Sequence, residues 1–271
     1  MKNRFYALLS TLCMVLAAHA QQYDAVLMAH FGTTHDDTRT RTIEALNQQV
    51  RLAFPDMRVK DCFTSKHVTK RLAQRGVKKD LPLDALLQLR AEGCRRIFVQ
   101  PSFLIDGREM DMLRQVVEQV RPFFDDIHVG TPLLYSVEDA QRVCDILVDR
   151  HAADVKQHRH VLFVGHGTEG PATAIYSQLD YMLRAGGNSH HHVATIEGYP
   201  TLQTAIGQIR SMKGRRVTLV PLLFVAGDHA TNDIAVEWKE ALEKEGFAVD
   251  LAIEGLGEVP EILDLFVEKM K

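Results

Sequence analysis

Residues 215–233 have the sequence RRVTLVPLLFVAGDHATND, which combines a buried strand, a sharp turn and the start of a helix. The apolar run over 217–225 predicts a parallel strand that is covered on both faces. It stops at Gly227-Asp228-His229, and Asn232 is a candidate cap for the helix that follows. In open α/β sheets, ligands bind beyond the carboxyl ends of the strands. The stretch therefore predicts an α/β fold with His229 at a ligand-binding edge.

The composition is that of an ordinary globular protein. The chain has 271 residues, of which 46% are hydrophobic and 25% charged, and its formal net charge is −3. This length suits one large domain or two small ones. Because there is no strong basic bias, nucleic acid is not expected as a partner.

The first twenty residues differ from the rest. Lys2 and Arg4 precede a mostly apolar run over 7–17, and Ala18-His19-Ala20 is a small-x-small cleavage signature. This pattern predicts a cleavable signal peptide over residues 1–20 and an exported, periplasmic protein that begins near Gln21. A membrane anchor needs about 20 apolar residues, and this run is shorter. No stable membrane insertion is therefore expected.

Three cysteines remain after the predicted cleavage site: Cys62, Cys94 and Cys144. An odd number of widely spaced cysteines does not indicate a disulfide framework, and no CxxC pair suggests a thiolate metal site. We expect these residues to be small, buried apolar side chains.

The two halves of the chain share a pattern. VLMAHFGT at 26–33 resembles VLFVGHGT at 161–168, and GCRRIFVQPSFLIDGRE at 93–109 resembles KGRRVTLVPLLFVAGDH at 213–229. When Pro101 is matched to Pro221, Glu109 falls on His229. This order predicts a duplication, with α/β lobes over 21–135 and 136–271 and a cleft between their sheet ends. Similar composition of unrelated α/β strands is the alternative explanation.

Candidate metal ligands follow three predicted strands of the second half. His166, Glu197 and His229 each lie beside a glycine, which lets the backbone turn sharply and a ligand approach closely. Two imidazoles and a carboxylate suit a divalent first-row metal, and three protein ligands leave open positions for a reaction. Taken singly, such a histidine is more often a loop or core residue, and Glu197 could be a helix N-terminal acid.

Other histidines give weaker signals. His30 ends the first predicted strand and is a candidate cleft contact, next to the turn that contains Gly32 and Thr33. The run His190-His191-His192 precedes a strand, and neighbouring strand residues point to opposite faces. We therefore predict a polar loop there, with a metal-collecting role as the alternative.

Three motifs resemble those of a known family. GHGT at 165–168, TIEGYP at 195–200 and PLLFVAGDHATND at 221–233 are similar to the anaerobic sirohydrochlorin cobaltochelatases of the CbiK type, which belong with the class II chelatases and ferrochelatase. The resemblance covers essentially the whole chain after the predicted signal peptide. It implies two Rossmann-like lobes, each a parallel sheet flanked by helices, with the active site in the cleft between them. Where His30 stands, the family leads us to expect a small residue such as serine.

The resemblance also implies a reaction. Co²⁺, with Fe²⁺ or Ni²⁺ as alternatives, would enter sirohydrochlorin with release of two protons, in cobalamin and tetrapyrrole biosynthesis. The implied metal ligands are His166, Glu197 and His229, and the implied catalytic residues are His166, Glu197 and Glu109. His30, Gly32 and Thr33 are the candidate substrate-binding residues, and Arg108 and Lys66 are candidates for the substrate carboxylates. No GxxxxGK[ST] phosphate loop occurs, so ATP is not expected.

A predicted signal peptide is unexpected for an enzyme of corrinoid synthesis. An exported protein that binds and transports haem, another tetrapyrrole or metal through the same cleft is therefore the alternative, and haem is a candidate ligand. A metal-dependent hydrolase is a third possibility. The helices predicted around each lobe also leave room for a homo-oligomer.

Overall fold

The computed structural model describes residues 23–271, so the predicted signal peptide lies outside the described residues. The first lobe contains four strands: β1 (Ala25–His30), β2 (Arg58–Phe63), β3 (Arg96–Pro101) and β4 (Asp126–Val129). They are parallel, because each connection between them returns the chain to the same end of the sheet, and their order is β2-β1-β3-β4.

Four helices flank this sheet. Helix α1 covers 36–53 and contains a π-helical segment, Thr40–Glu44, between α-helical turns. It is followed by α2 (Lys66–Gln74), α3 (Pro82–Ala91) and α4 (Arg108–Val120). Pro82 lies in the first turn of α3, where its missing N–H is not needed.

The second lobe repeats this plan. Its strands are β5 (His160–Gly167), β6 (His191–Glu197), β7 (Arg216–Leu222) and β8 (Ala248–Leu251). They form a parallel sheet in the order β6-β5-β7-β8, which matches the order of the first sheet. The prediction of two similar α/β lobes is thus confirmed. Its helices are α5 (Val137–Arg150), α6 (Ala152–Lys156), α7 (Ala174–Ala185), α8 (Leu202–Ser211), α9 over 229–244 and α10 (Pro260–Glu268).

Helix α5 connects the lobes, and Ser136 caps its first turn. The Ser136 hydroxyl accepts a hydrogen bond from the Asp139 amide, and the Asp139 carboxylate accepts one from the Ser136 amide. This reciprocal capping satisfies two donors that the first turn would otherwise leave unpaired.

The lobes share their largest hydrophobic cluster. This cluster contains Phe63 of the first lobe together with Phe224 and Phe266 of the second lobe. Helix α10 also contacts the first lobe directly, since Gln49 of α1 donates a hydrogen bond to Asp264. Smaller clusters fill the outer side of each sheet. The two sheets are therefore joined through a common core.

Two local predictions are wrong. Strand β7 ends at Leu222 rather than Val225, and the following helix begins at His229 rather than Asn232. Beyond Leu222, Phe224 is buried in the shared cluster and its ring stacks on His30 of the first lobe. The hydrophobicity of Phe224 therefore reflects the shared core rather than a longer strand. Within residues 23–271, no helix combines the length and apolar character needed to cross a bilayer.

The histidine run is not a polar loop. Strand β6 begins at His191, and both His191 and His192 are buried. His192 Nε2 lies 2.9 Å from His160 Nδ1, and the His191 ring stacks on Phe163. Flat aromatic rings of this kind pack well against a sheet, which is why the strand continues through them. The expectation for the cysteines holds, because Cys62, Cys94 and Cys144 are all buried and free.

Buried histidines make the fold sensitive to acid. Burial lowers the pKa of four imidazoles to about 4: His30, His160, His191 and His192. An unfolded histidine titrates near 6.5, so between these values the unfolded chain binds more protons than the folded one. We expect the free energy of unfolding to be largest above about pH 6.5 and to fall as the pH drops toward 4. Urea unfolding midpoints between pH 7.5 and 4.5 measure this slope.

The His192→Asn variant is the matched test. It removes one titrating group, so its stability should depend less steeply on pH than that of the wild type. Midpoints that stay constant over this range would contradict the prediction.

Candidate active site

Two histidines meet at the carboxyl edge of the second sheet. His166 is the penultimate residue of β5, and His229 is the first residue of α9. Their rings pack edge to face with centroids 4.7 Å apart. His166 Nδ1 lies 3.1 Å from its neighbour's carbonyl oxygen, Gly167 O, which can only accept. His166 therefore donates through Nδ1, and its Nε2 keeps a free lone pair in the neutral ring.

The second imidazole is oriented in the same way. His229 Nδ1 lies 2.6 Å from Asp233 Oδ2, one helical turn further along α9. A carboxylate that accepts from Nδ1 fixes the tautomer and leaves Nε2 as the ligand atom, as in many metal-binding histidines. The His229 side chain is 55% exposed, so this lone pair is accessible. Asp233 was not predicted, because the helix was expected to begin at Asn232. The i, i+4 spacing of His229 and Asp233 was the available signal.

Glu197 lies beside this pair. It is the last residue of β6, in register with Gly167 of β5, and its side chain is exposed. Within residues 23–271, no three His, Cys, Asp or Glu side chains are close enough together to form a metal-binding group. The structure thus brings two of the three predicted ligands into contact and puts the third at the adjacent strand end.

Gly167 is needed for this arrangement. Its φ is +79°, and a Cβ atom there would lie 1.7 Å from the carbonyl oxygen of Glu197. We expect Gly167→Ala to lower the free energy of unfolding by more than about 2 kcal/mol, since backbone strain and a backbone clash add. Gly187→Ala is the matched control, because Gly187 has a φ of +84° with no atom within 4 Å of its added Cβ. It should lose only about 1–2 kcal/mol, as measured by urea unfolding; equal losses would contradict the clash.

Glu109 faces the histidines from the other lobe. It lies in the first turn of α4, half-buried, where the alignment of the two halves paired it with His229. Burial raises the pKa of the Glu109 carboxyl, and the positive charge of Arg108 opposes part of that rise. Two residues earlier, the chain approaches the second lobe, since a Cβ atom added at Gly107 would lie 3.8 Å from Ala172 Cβ. A carboxylate with a raised pKa is a stronger base than an exposed one.

A direct contact closes one side of the cleft. His35, in the loop after β1, has its Nε2 2.7 Å from Asp228 Oδ1, next to His229. These residues are 193 positions apart, and no sequence motif pairs them. The first-lobe turn is thereby held against the start of α9.

The predicted substrate contacts in that turn lie deeper than expected. Thr33 is buried, and its hydroxyl accepts from the His35 amide. Gly32 has a φ of +99°, and a Cβ there would lie 2.5 Å from the Phe63 ring. Both residues shape the turn, and Phe31 is the side chain that projects from it, with 49% of its surface exposed.

The prediction that His30 faces the cleft is wrong. Its side chain is fully buried, with Nδ1 2.8 Å from Ser102 Oγ and Nε2 3.0 Å from Asn47 Oδ1. Alternation of successive side chains sends His30 and Phe31 to opposite sides, and the fold buries His30 and exposes Phe31. His30 instead connects β1 to α1 and to the loop after β3.

Two parallel four-stranded sheets of the same strand order, each flanked by helices and joined through one core, form a chelatase fold. SirB from Bacillus subtilis with Fe³⁺ has this fold, with a TM-score of 0.64 and 13% identity over 91% of this chain and 93% of SirB. CbiX, the terminal enzyme for biosynthesis of siroheme in denitrifying bacteria, has a TM-score of 0.55 and 16% identity over 91% and 97% of the two chains.

The family is narrower than the fold. Residues 24–271 match the family model described as Cobalt chelatase (CbiK), and the chain belongs to that family. The sirohydrochlorin cobaltochelatase of Salmonella typhimurium is 34% identical over 248 residues, which cover 90% of this chain and 93% of the relative. Sirohydrochlorin cobaltochelatase CbiKC of Nitratidesulfovibrio vulgaris is 32% identical over 251 residues, covering 90% and 88%.

Proposed function

We propose that this protein is a sirohydrochlorin cobaltochelatase: it inserts Co²⁺ into the tetrapyrrole and releases two protons, as a step of cobalamin biosynthesis. The observation that carries the proposal is the pair His166 and His229, each with Nδ1 engaged and Nε2 free, opposite the half-buried Glu109. This pair occurs in a chain that matches the cobalt chelatase family over 24–271.

The imidazoles hold the incoming metal. His166 and His229 offer neutral Nε2 atoms, and Glu197 at the neighbouring strand end supplies a carboxylate as third ligand. Three protein ligands leave positions open, so the metal can exchange its remaining water for pyrrole nitrogens. A half-exposed site of this kind favours transfer of the metal over permanent retention.

Proton removal is the second requirement. Two pyrrole N–H protons must leave before the nitrogens can bind the metal. Glu109 lies on the wall opposite the histidines, and the burial that raises the pKa of its carboxyl makes it a better proton acceptor. Metal and base therefore approach the macrocycle from opposite lobes.

The chemistry of the site limits the metal to a class of ions, and the family narrows that class to cobalt. Imidazole and carboxylate ligands accept several divalent first-row metals, so Fe²⁺ and Ni²⁺ are competing substrates and cobalt rests on the family. The sequence has no phosphate-binding loop, which supports insertion without ATP.

We further propose that the protein acts outside the cytoplasm. The charged start, apolar run and Ala18-His19-Ala20 signature of residues 1–20 support export with cleavage before Gln21. Expression of the full chain followed by periplasmic extraction and N-terminal sequencing tests this. A protein that retains Met1 and stays in the cytoplasm would contradict it.

The reaction is tested by following tetrapyrrole absorbance without oxygen. Protein starting at Gln21 is mixed with a large excess of sirohydrochlorin and Co²⁺, without ATP. We expect many insertions per protein molecule, above the rate without protein. A spectral change that stops at one equivalent per chain would contradict the enzyme and support a carrier, for which haem is the next ligand to try.

A further inference from the structure

Helix α2 carries an unusual concentration of positive charge. Its sequence KHVTKRLAQ, followed by Arg75, has no acidic residue. Val68 and Leu72 anchor one side of the helix in the shared core. The cationic and imidazole side chains lie on its solvent side: Lys66, His67, Lys70, Arg71 and Arg75.

This helix lies at the edge of the cleft. It starts directly after β2, at the carboxyl end of the first sheet, and the Ser65 amide donates to the Phe31 carbonyl over 3.2 Å. At its other end, the Arg75 guanidinium donates to the Thr34 carbonyl. Both ends of α2 are thus fixed to the turn that contacts the second lobe.

One α2 side chain approaches the candidate metal site. Arg71 Nη1 lies 4.0 Å from Asp228 Oδ2, and Asp228 immediately precedes His229. The other oxygen of Asp228 is bound by His35. A carboxylate therefore already occupies the place where α2 meets the second lobe, although it is 58% exposed and its contact with Arg71 is long.

Helix α2 also carries positive charges that form no ion pair with the described residues. Among the described residues, the ion pairs of α2 and its cap are those of Arg71 with Asp228 and of Arg75 with Asp36. Lys66 and Lys70 are exposed beside them. Elsewhere on the first lobe, several arginines pair with a neighbouring carboxylate, as Arg95 does with Asp125 and Arg58 with Glu92.

We propose that Lys66, Lys70 and Arg71 bind carboxylates along one edge of the tetrapyrrole, and that Asp228 occupies part of this position until the substrate arrives. The inference rests on the proposed function and names the part of the protein that recognises the substrate's acidic side chains. Sirohydrochlorin carries eight carboxylates, so several cations in a row on a fixed helix match its charge. Exposed pairs are individually weak, and the recognition is therefore shared.

The test compares two metal-free porphyrins that differ in charge. Uroporphyrin has eight carboxylates and mesoporphyrin has two, and fluorescence titration gives a Kd for each. The variant Lys66→Gln/Lys70→Gln/Arg71→Gln is compared with Lys156→Gln/Lys213→Gln/Lys244→Gln, which removes three exposed positive charges away from α2. We expect the α2 variant to bind uroporphyrin at least about tenfold more weakly and mesoporphyrin less than about threefold more weakly.

Three outcomes would overturn the inference. If the α2 variant binds uroporphyrin as the control does, while the wild type inserts metal, only this inference fails. If binding of both porphyrins weakens equally, the effect does not depend on carboxylates and the inference also fails. If the wild type neither binds nor metallates any tetrapyrrole, the proposed function fails with it.

Replacing Asp228 should change the affinity for uroporphyrin in the opposite direction. Asp228→Asn removes the competing carboxylate and should tighten uroporphyrin binding by about two- to fivefold. Unchanged or weaker binding would overturn the displacement of Asp228 by substrate.

Discussion

Replacing His166 by alanine is expected to reduce cobalt insertion at least about a hundredfold, as is replacing His229. Loss of a residue that merely orients a metal ligand typically costs 10–100-fold, and loss of a ligand itself should cost as much or more. Asp233→Asn keeps the size of the residue that orients His229, and it should reduce the rate of cobalt insertion by about 10–100-fold. The measurement is the initial rate of the absorbance change of sirohydrochlorin with Co²⁺.

His190→Ala is the control for this series. His190 precedes β6 at the opposite edge of the second sheet and makes its ring contact with His160. Its replacement should leave the rate within about twofold of the wild type. A His166 variant that inserts cobalt as fast as this control would contradict the assignment of the ligand.

The second large effect is expected at Glu109. Glu109→Gln keeps the size of the side chain and removes its ability to accept a proton, so kcat should fall by about 10²–10⁴-fold. Co²⁺ binding should change little, because Glu109 lies on the opposite wall from the paired imidazoles. Since burial raises the pKa of Glu109, we also expect wild-type activity to rise with pH as this carboxyl loses its proton, and to fall below its pKa.

The matched control is Asp111→Asn on the same helix. Asp111 is exposed and pairs with Arg114 over 3.5 Å. Its replacement therefore removes a negative charge from α4 at a position away from the cleft. If Glu109→Gln retained the kcat of the Asp111 variant, Glu109 would not be the proton acceptor.

The fold was predictable because its strands and turns follow strong local rules. Apolar runs such as 161–165 end at glycines, and the helices between them show regular apolar spacing. The matched segments at 93–109 and 213–229 also predicted the duplication, which appears as two sheets of the same strand order. Periodicity and repeated motifs are properties of neighbouring residues, so they can be seen without the tertiary structure.

The parts that could not be predicted depend on tertiary contacts. Burial of His191 and His192 follows from the partners His160 and Phe163 on the neighbouring strand. Likewise, His30 is held inside by Asn47 and Ser102, which no local pattern connects to it. A polar residue at a strand end has two faces available, and only the surrounding fold decides between them.

The candidate site was predicted in part. The strand-end rule correctly indicated that His166 and His229 converge, and the alignment of the halves indicated Glu109. The supporting residues Asp233 and Asp228 were missed, because their roles depend on where α9 begins and on the contact between lobes. The family motifs contain the proposed metal ligands, but they do not indicate which residues orient them.

The most direct test of this account is Co²⁺ binding in the absence of tetrapyrrole. Calorimetric titration and the visible absorption of bound Co²⁺ would be recorded for the wild type, for His166→Ala/His229→Ala and for His190→Ala. The account predicts one Co²⁺ per chain in the wild type and in the His190 variant, and loss of that site in the double variant. A double variant that still binds one Co²⁺ with wild-type affinity would contradict the paired imidazoles as the metal centre.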